Sequence, residues 1–274
     1  MNRDFTLVAV ALVSFFFYVV AASEEQSEQK KLLQAIHENP GVADHYVDLG
    51  NTLSSGEKVQ LLPKSLTREE AYKLAIQIDP KNAVAFNNLG VTLPDLEATV
   101  VLGDGTKMTK QELFLKAIES DPKFGHAYNN LGETMQPDQK VNYPDGRSLG
   151  RKELFVKSIE LDAEYPYAFN NLGVILADPN EDGSVQTVTL ANGETLNSRS
   201  CFLNCIALGD HPALHHCYKN LGTVLDNEEV IQLPGNAGDR VNKEECLRRA
   251  KVLRQAAGIP SDDTEDSEPT EFFQ

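Results

Sequence analysis

Two sets of side chains in this 274-residue sequence have the types and spacing to do chemistry. The first joins sulfur to imidazole: Cys201, Cys205, Cys217 and Cys246 are interleaved with His211, His215 and His216. Cys201 and Cys205 stand one helical turn apart, and His211, His215 or Cys217 could complete a zinc set around them. Oxidation is the competing chemistry: an exported chain is expected to hold at least one disulfide, here with three pairings open. Serine nucleophile elbows, phosphate-binding glycine loops and the HExxH metal motif do not occur, and no Cys/His catalytic arrangement repeats. The expectation is a noncatalytic chain with no cofactor and no metal site.

The second set is made of side-chain amides. AFNNLG at 85–90 returns as AYNNLG at 127–132, AFNNLG at 168–173 and CYKNLG at 217–222, and DHYVDLG ending at Gly50 is a weaker copy. Asparagine costs about half a kcal/mol in a helix relative to alanine, so its return in one place calls for a reason. On a helical wheel, Asn88 lies opposite the stripe of Phe86, Leu89, Gly90 and Leu93, and Asn130, Asn171 and Asn220 take the same place. These four are therefore expected off the core, with Asp48 as their counterpart in the first copy. Asn87, Asn129 and Asn170, with Lys219 in the last full copy, flank them. An amide both donates and accepts, which suits it to the main chain of an extended peptide. The other reading is that these side chains bond to the neighbouring copy and set its packing.

The elements that would position both sets emerge from the glycines. Gly50, Gly90, Gly132, Gly173 and Gly222 are 40, 42, 41 and 49 residues apart, a period of helical arrays. Each glycine sits in one amphipathic helix, A. A second, B, follows, as in KQELFLKAIESDP with its stripe of Leu113, Phe114, Ala117 and Ile118. Thr67 with Glu70, and Thr109 with Glu112, are capping-box pairs that mark B starts. Cys205 falls where B carries its small alanine, so packing alone accounts for it.

This pattern resembles the tetratricopeptide-repeat family, whose helix A carries aromatic-x-x-Leu-Gly and whose helix B reads aromatic-x-x-Ala-x-x-x-x-Pro. The second half appears as Tyr72, Ala75 and Pro80, as Phe114, Ala117 and Pro122, and more loosely as Phe155 with Ser158 and Phe202 with Cys205. KKLLQAIHENP, with Ala35 and Pro40, reads as an orphan helix B capping the front. The resemblance implies an all-α fold, a right-handed α-solenoid of about five helix pairs, with A helices lining a concave groove. It thereby implies that Asn88, Asn130, Asn171 and Asn220 face that groove as a peptide-binding ladder.

One departure stands out. Pro94, Pro137 and Pro179 end helix A early, and the extra residues VVLGDGTKMT, VNYPDGRSLG and VTLANGETLN place Asp-Gly or Asn-Gly between extended runs, which predicts short β-hairpin inserts with tight primed turns. Gly105 to Phe114, Gly146 to Phe155, Gly193 to Phe202 and Gly238 to Leu247 are all nine residues, so the inserts should be ordered and docked at the start of helix B. The first insert has Pro63 instead of a glycine turn and is expected to be irregular.

The whole chain fits this reading. Forty-one acidic against 25 basic residues give a charge of -16, which opposes nucleic acid and anionic lipid as partners. An uncharged run from Phe5 to Ala22 is export chemistry, either a cleaved signal peptide or a signal anchor, and places the remainder in the secretory pathway, outside the cell or facing that side of a membrane. The membrane would be touched only through an uncleaved leader. The chain thus divides into residues 1–22, a repeat region 24–258 and an acidic tail 259–274 expected to stay unfolded. The expected function is a protein- or peptide-binding scaffold. The alternatives are an assembly scaffold using its hairpin edge, or a Cys/His metal protein.

Overall fold

The computed structural model describes residues 27–61, 64–142, 148–180, 182–235 and 238–259. The apolar leader and almost all of the acidic tail lie outside the described residues, as does Pro63. The chain divides into two compact units, one ending at Ser120 and the other starting at Asp121.

In the first unit, helix α1 (27–38) is followed by α2 (Ala43–Thr52), strands β1 (Val59–Leu61) and β2 (Lys64–Leu66), then α3 (Arg68–Ile78) and α4 (Ala83–Thr92). Strands β3 (Thr99–Val101) and β4 (Lys107–Thr109) lead into α5 (Lys110–Ser120). The second unit repeats the order: α6 (Gly125–Glu133), β5 (Lys140–Asn142), β6 (Ser148–Gly150), α7 (Arg151–Leu161), α8 (Pro166–Ile175), β7 (Val188–Thr189), β8 (Thr195–Leu196), α9 (Ser198–Ala207), α10 (Leu214–Val224), β9 (Ile231–Gln232), β10 (Arg240–Val241) and α11 (Lys243–Ala256). Within each unit, successive helices from α2 onward pack side by side, and every strand pair is antiparallel and two-stranded among the described residues.

The repeated glycine has a steric cause. A Cβ on Gly90 would stand 2.6 Å from Phe114 Cε1, one on Gly132 2.7 Å from Phe155, and one on Gly173 2.6 Å from Phe202. Each A helix accepts about 1 kcal/mol of lost helix propensity so that the B-helix ring can lie flat across its backbone. Where the ring is Tyr72, the residue after the glycine is Asn51, whose Oδ1 accepts the phenol at 2.9 Å. In the last pair, Leu247 replaces the ring and the gap at Gly222 widens to 3.1 Å.

Helix B begins on capping side chains. Glu70 N–H donates to Thr67 Oγ1 while Thr67 N–H donates to Glu70 Oε2, and Thr109 and Glu112 repeat the exchange. Asn197 and Asn242 cap α9 and α11, a role the sequence reading did not assign them. Arg68 and Arg151, the first residues of α3 and α7, reach back to helix A: Arg68 Nε donates to Leu53 O at 2.6 Å and Arg151 Nε to Gly132 O at 3.2 Å. A cation that would be unfavourable at the start of one helix thus neutralises the end of another.

The turns differ from the expected primed type. Gly105 and Gly193 have φ of +88°, but among the described residues no non-glycine residue has positive φ, so Asp104 and Asn192 are not left-handed. Gly105 N–H donates to Leu102 O and Leu102 N–H to Thr106 O, and Leu190, Gly193 and Glu194 repeat the pattern. This is a three-residue loop closed by a left-handed glycine, with Asp104 Oδ1 accepting from Thr106 N at 2.9 Å. The first insert is also corrected: without a glycine turn it still pairs, Val59 opposite Leu66. Leu66, Val100, Val141, Leu190 and Val241 are buried, so each insert sends an apolar side chain inward.

Candidate functional site

The nine residues singled out from the sequence do not share one environment. Asp48 is exposed, and Asn88 and Lys219 are half-buried. Asn87, Asn129, Asn130, Asn170, Asn171 and Asn220 are all buried, and Asn129, Asn170, Asn171 and Asn220 are at 0% exposure. The expectation that the Asn130, Asn171 and Asn220 positions lie off the core is therefore corrected. The reason is that an A helix in an array meets the next A helix as well as its own B helix: α6 packs on α8 and α8 on α10, which closes the face opposite the B-helix seam.

In the second unit the amides form a chain. Asn220 Nδ2 donates to Asn170 Oδ1 at 2.8 Å, and Asn170 Nδ2 to Asn171 Oδ1 at 3.4 Å. Asn171 Nδ2 then donates to Asn129 Oδ1 at 3.1 Å and to Glu133 Oε1 at 2.6 Å, and Asn129 Nδ2 donates to the same Glu133 oxygen at 2.9 Å. The amide row thus ties α10 to α8 and α8 to α6. In the first unit, Asn88 Nδ2 donates to Asn51 Oδ1 at 2.9 Å, and Asn87 Nδ2 to Asn88 Oδ1 at 3.1 Å.

Two members of these networks, Asn51 and Glu133, were missed. Both directly follow a repeat glycine, where Val91 and Val174 stand in other copies, and both are three residues beyond the ladder position, hence on its helix face. Glu133 is a buried carboxylate received by amides. Its charge acts on its surroundings: burial pushes the Tyr165 phenol up and Glu133 adds to that, whereas burial lowers the Arg151 guanidinium and Glu133 opposes it. Arg151 also lies 5.9 Å over the Phe155 ring.

The cysteine set holds one disulfide, as the oxidation reading expects, and two free thiols. A disulfide joins Cys205 on α9 to Cys217 on α10, with Cα atoms 6.1 Å apart, and Cys201 and Cys246 are buried free thiols. Burial pushes both free thiols up, Cys246 to about 12, which suits inert packing rather than nucleophilic work.

Near the hairpins the surface is less closed. An open cleft of about 590 Å³ lies between the β5–β6 insert with the start of α7 and the end of α8, lined by Gln139, Lys140, Arg151, Val174 and Ile175 among others. Eight large apolar side chains remain exposed among the described residues; of these, Val101 lies on β3, and Leu96, Val185 and Val230 lie in the links that run from helix A into the first strand of an insert.

The fold defines a helix-rich repeat protein of paired helices. No family model matches the chain. No curated protein matches it either. Among solved structures it is similar to YrrB, described as a TPR protein with an unusual peptide-binding site, at 18% identity over 82% of this chain and 92% of that one, with a TM-score of 0.39.

Proposed function

We propose that this chain is a noncatalytic scaffold that holds a protein or peptide segment, and that its hairpin inserts make the main contact. One contrast carries the reading: the amides that repeat are bonded inside the fold, while the inserts keep exposed apolar side chains and border an open cleft. Apolar side chains exposed around a cleft in an otherwise polar surface suit contact with a partner. The tetratricopeptide-like motifs support the same general role.

A second reading rests on Asn88. It keeps partial exposure on α4, and with Asp48 on α2 it leaves the A helices of the first unit able to meet the main chain of an extended peptide, as the groove reading requires. Affinity capture of partners from native secretory or surface material separates the two. Val101→Asp with Val185→Asp abolishes capture if the inserts bind, and Asn88→Ala with Asp48→Ala abolishes it if helix A does. Capture unchanged in both variants overturns the scaffold reading on either surface.

We also infer that the chain is exported. The run from Phe5 to Ala22 supports this, and among the described residues no helix is long and apolar enough to cross a membrane. Intact mass of the native protein decides between a removed and a retained leader.

A further inference from the structure

The loop between α9 and α10 carries more than a staple. Cys205, His211 and Cys217 form a Cys-x5-His-x5-Cys sequence, and one ring nitrogen of His211 and the two sulfurs lie within 4.8 Å of one another. The Cys205 carbonyl can only accept, so the 2.9 Å contact to His211 Nε2 places the ring proton there. Nδ1 is left as a bare lone pair, buried and with no hydrogen-bond partner. A disulfide needs no imidazole beside it. An imidazole beside two sulfurs, with one ring nitrogen orphaned and the opposite N–H held by a backbone carbonyl, has the arrangement of a metal ligand and its outer partner.

We propose that, when the Cys205–Cys217 bond is reduced, Cys205 Sγ, Cys217 Sγ and His211 Nδ1 bind one Zn2+ ion, with a fourth position open to water. The step balances. Two equivalents of a thiol reductant give two electrons and two protons to the Sγ–Sγ bond and become their own disulfide, and the two new thiols then release two protons as thiolates to the ion. The oxidised and metal-bound forms exclude each other, because both use the same sulfurs. Two thiolates and an imidazole are a borderline-soft set suited to zinc, and three protein ligands leave the coordination of an open site. Cys201 and Cys246 take no part. This site is independent of partner binding at the inserts.

The test uses the full chain, oxidised or reduced with a water-soluble phosphine, titrated with Zn2+ by calorimetry and with Co2+ by absorption. One equivalent binds the reduced chain, with thiolate-to-cobalt charge-transfer bands, and none binds the oxidised chain. His211→Ala lowers affinity at least about tenfold, and Cys201→Ser leaves it unchanged. If Cys217→Ser does not fold, His211→Ala still decides, since it keeps the disulfide until reduction. A reduced chain without stoichiometric binding, equal binding by the oxidised chain, or wild-type affinity in His211→Ala overturns the proposal.

Discussion

Asn171 gives its amide protons to two acceptors inside the protein, whereas Asn88, its counterpart two repeats earlier, keeps contact with solvent. Truncation should expose the difference. Asn171→Ala removes a donor from the buried Glu133 carboxylate and is expected to cost about 2 kcal/mol or more, while Asn88→Ala costs under about 1 kcal/mol because water replaces the lost amide. Urea unfolding of the two variants checks this, and equal losses would show that burial does not set the role of the row. Gly132→Ala should cost about 1–3 kcal/mol, since the new methyl meets the Phe155 ring and neither helix can retreat without loosening the pair. His216 supplies a pH signature. Burial first, and then the adjacent His215, hold its imidazole at about 3. The unfolded chain takes up that proton near pH 6.5 and the folded chain does not, so stability is full above about 6.5 and declines as pH falls toward about 3. His216→Gln should flatten that part of the melting-temperature profile, and an unchanged slope would assign it elsewhere.

At the scale of elements, the hairpin and helix B behave as one piece. The left-handed glycine, the return strand, the cap and the core aromatic follow one another without slack: Gly105, β4, Thr109 and then Phe114. This explains the nine-residue offset at Gly105 and Gly193, because an added residue would turn the strand's inward side chain outward or move the ring off its glycine; in the last insert Gly238 keeps the spacing, but the left-handed residue is Gly235. Gly105→Val forces a β-branched residue into the left-handed region at a cost of about 1–2 kcal/mol. Hydrogen exchange should locate the loss in β3, β4 and the first turn of α5. Loss confined to the turn itself would mean that the insert is not coupled to the helix.

For the molecule as a whole, stability is a sum of neighbour contacts, so it should vary along each unit. In the second unit, α8 packs against α7, α9, α6 and α10, whereas α11 rests chiefly on α10. Amides of α8 are therefore expected to exchange more slowly than those of α11, and uniform protection across the unit would indicate a single cooperative core instead. Between α9 and α10 the Cys205–Cys217 bond adds a covalent tie, and its loss in Cys217→Ser should lower stability by about 2–4 kcal/mol, read by denaturant midpoint in the oxidised chain.

Much of this was legible from residues alone, where the cause is local or periodic. The glycine ruler, the Thr67 and Thr109 caps and the place of the inserts depend on neighbours along the chain and on helical spacing. The turn type was missed because Asp-Gly and Asn-Gly also serve a longer loop, in which only the glycine is left-handed. What the amides face was decided by tertiary structure. A helical wheel divides one helix into a packed side and a free side, but an A helix packed between two others has no free side at Asn171 or Asn220. The same holds for sulfur: four cysteines leave the choice of bond open, and only the packing of α9 against α10 brings Cys205, Cys217 and the His211 ring together while Cys201 and Cys246 stay buried as free thiols.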